Sequence, residues 1–199
     1  MFENGTKTNP LRISHNSVAS ALEKASCWQL ALSILTALGS HSDLITFSAA
    51  ISACENAQKW NQAMALLNEL QIQRLEANLI VYNAVLSACE KASQWQQVLF
   101  LFKEVTEKLV ANVVTYTAVI SACERSKHWQ HALDFFHHMK VKTVKPNAIT
   151  CASTLEAIAP VQGDPGCEIR QSLLRELSSI LESLLKQRKK GPSEESRKT

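Results

Sequence analysis

Apolar residues in this chain recur in short stretches at helical spacing and not in alternation. Between 44 and 78 they fall at Phe47, Ala50, Ile51 and Cys54, and again at Trp60, Ala63, Leu66, Leu67 and Leu70. Steps of three and one put each set on one helical face, so this stretch predicts two amphipathic helices. The polar run Asn56-Ala57-Gln58-Lys59 between them marks a turn. The same arrangement then returns. The string SACE occurs at 52–55, 87–90 and 121–124, and Trp60, Trp95 and Trp129 follow it at a constant offset. Three full repeats result, 44–78, 79–112 and 113–147, of 35, 34 and 35 residues. A degenerate repeat precedes them at 12–43, with Leu22-Glu23-Lys24 at the place of the CEK, and a partial one follows at 148–159. Asp43, Asn78, Asn112 and Asn147 close the repeats, and such residues suit helix N-caps. Pro146 sharpens the last break, because a helix does not continue through it.

A helical hairpin of this length cannot bury both of its apolar faces alone, whereas a row of them can. The expected fold is therefore all-α, an α-solenoid of stacked helix-turn-helix repeats whose leading helices line a concave surface. Residues 1–11 are polar and read as a disordered segment. Residues 160–190 read as a loop and an amphipathic C-terminal helix, carried by Ile169, Leu173, Leu177, Leu181 and Leu184, that caps the last hairpin; self-association through this helix is the competing reading. Residues 191–199 read as a flexible tail.

Composition narrows the functional classes. Only 5 Gly and 5 Pro occur in 199 residues, which argues against a turn-rich all-β fold and against Gly-rich phosphate loops. A formal net charge of +3 does not by itself announce a nucleic-acid binder. No apolar stretch is long enough to predict a membrane crossing. The 6 cysteines include no CxxC pair, so they read as buried thiols, and no metal or other cofactor is expected. His128, His131, His137 and His138 cluster in one second helix without an HExxH pattern, and read as a solvated face. No deaminase signature follows residue 148, and no P-loop or Ser/His/Asp set is visible, so no catalysis is expected.

The place of the aromatic residues separates two families of similar period. Tetratricopeptide repeats carry Trp, Leu-Gly and Tyr in the first helix. Here the first helices open with Phe47, Tyr82 and Tyr116, and Trp starts the second. The strings VVTYTAVISACE, HALDFFHHMK and VKPN, and LIVYNAVLSACEKASQWQQVLFLFKEV, closely resemble pentatricopeptide repeats over 12–159, about three quarters of the chain. Two closings, Leu75-Glu76-Ala77-Asn78 and Leu109-Val110-Ala111-Asn112, depart from the family by lacking Pro.

The resemblance implies a protein that binds single-stranded RNA at about one base per repeat. It implies that the second residue of each repeat clamps a base, here Ile13, Ile45, Ile80, Val114 and Ile149. It implies that the fifth residue and the closing residue read the base edge: Asn16 with Asp43, Ser48 with Asn78, Asn83 with Asn112, and Thr117 with Asn147. By the family's pairing pattern these repeats prefer U-A-C-A. A basic residue after the repeated Glu would approach phosphate, which names Lys24, Lys91 and Arg125. The resemblance further implies organellar RNA processing, stability or editing in mitochondrion or chloroplast, with a processing or editing enzyme recruited in trans. Residues 1–11 lack the Arg- and Ser-rich character of a transit peptide. The alternative is a tetratricopeptide-like scaffold holding a peptide in the concave groove.

Overall fold

The structure, a computed structural model, describes residues 28–39, 42–159 and isolated positions between 171 and 182. Ile13, Asn16 and Lys24, the segment 1–11, the expected loop and capping helix at 160–190 (apart from those isolated positions) and the tail at 191–199 lie outside the described residues. Eight helices are described: α1 (Trp28–Leu38), α2 (Leu44–Asn56), α3 (Trp60–Ile72), α4 (Leu79–Lys91), α5 (Trp95–Lys108), α6 (Val113–Arg125), α7 (Trp129–Val141) and α8 (Ala148–Ile158). No strand occurs among the described residues. The helices pair into consecutive helix-turn-helix repeats of an all-α solenoid. They are divided between two compact units, Met1–Ala111 and Asn112–Thr199.

Local chemistry sets where each leading helix starts. The closing residue of the preceding repeat has extended backbone, and its side-chain oxygen accepts the N–H three residues on. Asp43 takes Thr46 at 2.9 Å, Asn78 takes Val81 at 3.0 Å, Asn112 takes Thr115 at 3.1 Å and Asn147 takes Thr150 at 2.8 Å. Each bond satisfies one of the amide donors a helix start leaves orphaned. The leading helices end in paired 6→1 and 5→2 hydrogen bonds, such as Lys59 N to Cys54 O at 2.8 Å with Gln58 N to Glu55 O at 3.0 Å. That closure puts Gln58, Ser93 and Lys127 at φ of 56°, 57° and 61°. None of the three is Gly, so no glycine signal marks these turns in the sequence. Arg74 and Thr143 repeat the device after α3 and α7. The 34-residue repeat lacks it: α5 runs to Lys108, and Leu109 then turns out at φ −137° with no left-handed residue. The missing residue of that repeat is therefore a turn residue.

In the first unit α2 packs on α1, α3 and α4, and α4 packs on α2, α3 and α5. The anticipated core faces are buried, with Phe47, Ile51, Cys54, Leu67 and Leu70 all at 1% exposure or less. Burial of each large side chain contributes about 1.5–3 kcal/mol, which outweighs any surface ion pair. The leading helices are buried on more than the single face that periodicity predicts. Thr46, Ala49, Ala53, Val81, Ala84 and Ala88 are also covered. Polar bonds then tie successive repeats. Glu55 accepts Ser87 Oγ at 2.7 Å and Lys91 Nζ at 2.9 Å. Glu104 accepts Tyr82 Oη at 2.9 Å, Gln71 Nε2 at 2.8 Å and Lys108 Nζ at 2.5 Å. Burial pushes the Glu104 carboxyl up, but these donors hold it below its ordinary value.

In the second unit α6 packs on α7 and α8, and α7 on α8. Tyr116, Val119, Ile120, Cys123, Phe136 and Met139 form its centre. Tyr116 keeps its ring in the core and its hydroxyl 3.0 Å from His138 Nδ1. Ser121 and Ser153 bond hydroxyl to hydroxyl across α6 and α8 at 2.9 Å.

Two expectations follow. Gln58→Gly and Ser93→Gly relieve a left-handed cost of about 1–2 kcal/mol against a smaller chain-entropy penalty, so each is expected to stabilise by about 0.5–1 kcal/mol in urea unfolding. A loss of stability would contradict the turn geometry. Burial also pushes the thiols of Cys54 and Cys123 from 9.0 up to about 11 and that of Cys89 up to about 12. Below pH of about 9 both folded and unfolded chains keep these protons. Above it only the unfolded chain ionises, so stability falls, by about 1.4 kcal/mol per pH unit for each thiol. Urea unfolding between pH 8 and 10.5 checks this, with Cys89→Ala expected to flatten the decline.

Candidate functional site

The first turns of the leading helices carry a repeated arrangement. In the first unit Ile45 and Ile80 stand 53% and 68% exposed, although each is a branched aliphatic in a helix whose later apolar residues are buried. In the second unit Val114 and Ile149 stand 51% and 62% exposed at the same register. Three residues on, at a spacing that shares a helical face, come the partly buried Ser48, Asn83 and Thr117. Two residues before each aliphatic sits the capping Asp43, Asn78, Asn112 or Asn147. The cap bond uses one side-chain oxygen. For Asn78 and Asn147 this orients the amide so that its NH2 donors have no protein partner among the described residues.

The second unit draws one of these pairs together. Thr150 Oγ1 donates to Asn147 Oδ1 at 2.7 Å and lies 2.8 Å from Thr117 Oγ1. Thr117 also reaches the Val113 carbonyl at 2.7 Å. Thr117 and Asn147 are thus linked through the buried Thr150 hydroxyl. Thr150 was not among the sequence candidates. Its signal was present as a Thr three residues after the closing Asn, a capping pattern shared by Thr46 and Thr115. In the first unit the corresponding residue is Val81, so Ser48 is not held this way, and its hydroxyl has no protein partner among the described residues. Asn83 lies in the first unit and Asn112 in the second.

The basic candidates differ from one another. Lys91 is tied to Glu55 and only 34% of its side chain is exposed, which makes it a strut between repeats. Its carboxylate partner takes up the charge that sequence reasoning assigned to phosphate. Ser87, which shares Glu55, was also overlooked; the recurring Ser and Glu of SACE carried the signal. Arg125 ends α6 and is exposed. Among the described residues no group of three or more His, Cys, Asp or Glu is placed to hold a metal ion. No described helix is long and apolar enough to cross a membrane.

In each repeat this arrangement places an exposed branched aliphatic and short hydrogen-bonding groups in the same first turn. Comparisons with known proteins agree with the repeat geometry. A pentatricopeptide repeat domain matches 34–92, a PPR repeat matches 80–108 and the PPR repeat family matches 111–159. The PPR domain of Arabidopsis thaliana protein-only RNase P 1, solved in complex with tRNA, superposes with a TM-score of 0.72 at 11% identity, covering 83% of this chain and 88% of that one. The pentatricopeptide repeat protein PPR10 from maize superposes at 0.60 with 22% identity over 83% of this chain. PPR10 in complex with an 18-nt psaJ RNA element gives 0.66 and 18% over 86% of this chain. The match spans about a quarter of PPR10, 24% and 25% of the two chains. No curated protein sequence matches the chain. Consecutive matches to one repeat family between 34 and 159, on stacked helical hairpins of the same period, make this chain a member of the pentatricopeptide repeat family with a short repeat array.

Proposed function

We propose that this protein binds single-stranded RNA, with the first turn of each leading helix holding one base. The observation that carries this reading is the recurrence of Ile45, Ile80, Val114 and Ile149 as exposed branched aliphatics at one register. Single exposed apolar residues are ordinary, but four at the same helical position call for an occupant. Each stands beside a capping side chain and a short polar one, and stiff branched side chains give a base face a ledge with little entropy left to lose.

The caps rationalise base choice. An Asn cap, its oxygen used, presents an amide donor, which suits the ring-nitrogen acceptor on the pairing edge of adenine or cytosine. An Asp cap presents only acceptors, which suits the ring N–H of uracil or guanine. Asp43 against Asn78, Asn112 and Asn147 therefore fits the U-A-C-A preference that the family pairing implies. The protein acts by binding, and an enzyme recruited in trans performs the processing or editing. A mitochondrial or chloroplast setting follows from the family.

Binding measured by fluorescence anisotropy tests this. A single-stranded oligonucleotide containing UACA is expected to bind more tightly than permutations of that tetramer, and equal affinities would remove the base-reading. Asn78→Asp keeps the N-cap and replaces the donor with an acceptor. It is expected to leave the melting temperature nearly unchanged, to weaken adenine at the second position by about 1–3 kcal/mol, and to favour guanine there.

A further inference from the structure

Charge is divided unevenly between the two compact units. Residues 28–111 contain five Lys and Arg against seven Asp and Glu, whereas residues 112–159 contain five against three. The cations are also used differently. In the first unit Lys91, Lys103 and Lys108 are each within ion-pair distance of a carboxylate, at Glu55, Glu107 and Glu104. In the second, Lys127, Lys142 and Lys145 are exposed and make no ion pair among the described residues. Two of these three lie in the turn between α7 and α8, beside the exposed Lys140 at the end of α7.

We infer that this turn, through Lys142 and Lys145, is the site that holds the phosphodiester backbone of the RNA. The inference rests on the RNA-binding reading above and places the phosphate contact away from the residues that follow the repeated Glu. Three observations point to it. The backbone that carries these residues is set: Thr143 N donates to Lys140 O at 2.9 Å, Val144 N to Met139 O at 3.0 Å, and Pro146 restricts Lys145 to extended backbone. It leads directly into the capping Asn147, two residues beyond Lys145, so charge and base-reading amide share one short segment. It has no counterpart in the first unit, where the turn after α3 offsets Arg74 with Glu76 and the turn after α5 carries no charge before Asn112. A multiply charged strand is attracted by exposed cations such as Lys142 and Lys145, and bound counterions are released as it docks.

Lysines at a helix C-terminus also complement the helix dipole, and the two roles separate experimentally. The full chain and its Lys142→Gln/Lys145→Gln variant are titrated with UACA-containing RNA from 50 to 300 mM KCl, with melting temperatures measured alongside. Lys59→Gln/Lys103→Gln is the control. Loss of two phosphate contacts is expected to make the slope of log affinity against log salt shallower by about 1.4, with the control unchanged. A wild-type slope in the turn variant overturns the inference while leaving RNA binding intact, and a lowered melting temperature with that slope assigns the lysines to the dipole of α7. Absence of RNA binding by the unaltered chain overturns both readings.

Discussion

Each leading helix that has a repeat on either side must fit between them, and the small residues along its middle set how near they come. In the first unit α2 lies between α1 and α4, and its Ala50, Ala53 and Cys54 are covered almost completely. A larger side chain at these places would push neighbouring repeats apart, because interiors packed to crystal density have no room to absorb it. The cysteines are part of this fit, acting as small apolar groups whose thiols burial keeps protonated. The recurring SACE string is thereby a packing signature flanked by polar ties: Ser87 and Lys91 reach across to Glu55, and Ser121 reaches Ser153.

The residues proposed to contact a base sit in the first turns of the leading helices. There the second residue of a repeat is exposed while the third and fourth are buried. The same cap that starts the helix orients an amide outward, so one hydrogen bond sets both where the helix begins and which group faces solvent. Thr150 carries this furthest, since its hydroxyl both completes the cap on Asn147 and fixes Thr117.

Charge obeys the same division. In the first unit Lys91 reaches Glu55 of another helix and Lys108 reaches Glu104 of its own, whereas Lys142 and Lys145 make no ion pair among the described residues. A net charge of +3 conceals this contrast, because an excess of carboxylates in one part of the chain cancels an excess of lysines in another.

The sequence by itself determined the repeat period, the hairpin order and the capping residues, because each depends on residues close together in the chain: a face repeats every few residues, and a cap reaches three residues ahead. The second residue of each repeat was singled out only through the family resemblance, and its exposure is a finding of the structure. The 34-residue length of the middle repeat was likewise visible, and the structure places its missing residue in the turn after α5. Tertiary structure alone decided which polar residues spend their groups on neighbouring repeats. Lys91 follows Glu90 in sequence but bonds Glu55 from the repeat before, and Thr117 meets Thr150 from the repeat after. It also decided that Gln58, Ser93 and Lys127 take a left-handed turn that no glycine announces. Such choices depend on distances across the stack, which residue spacing along one strand of chain does not encode.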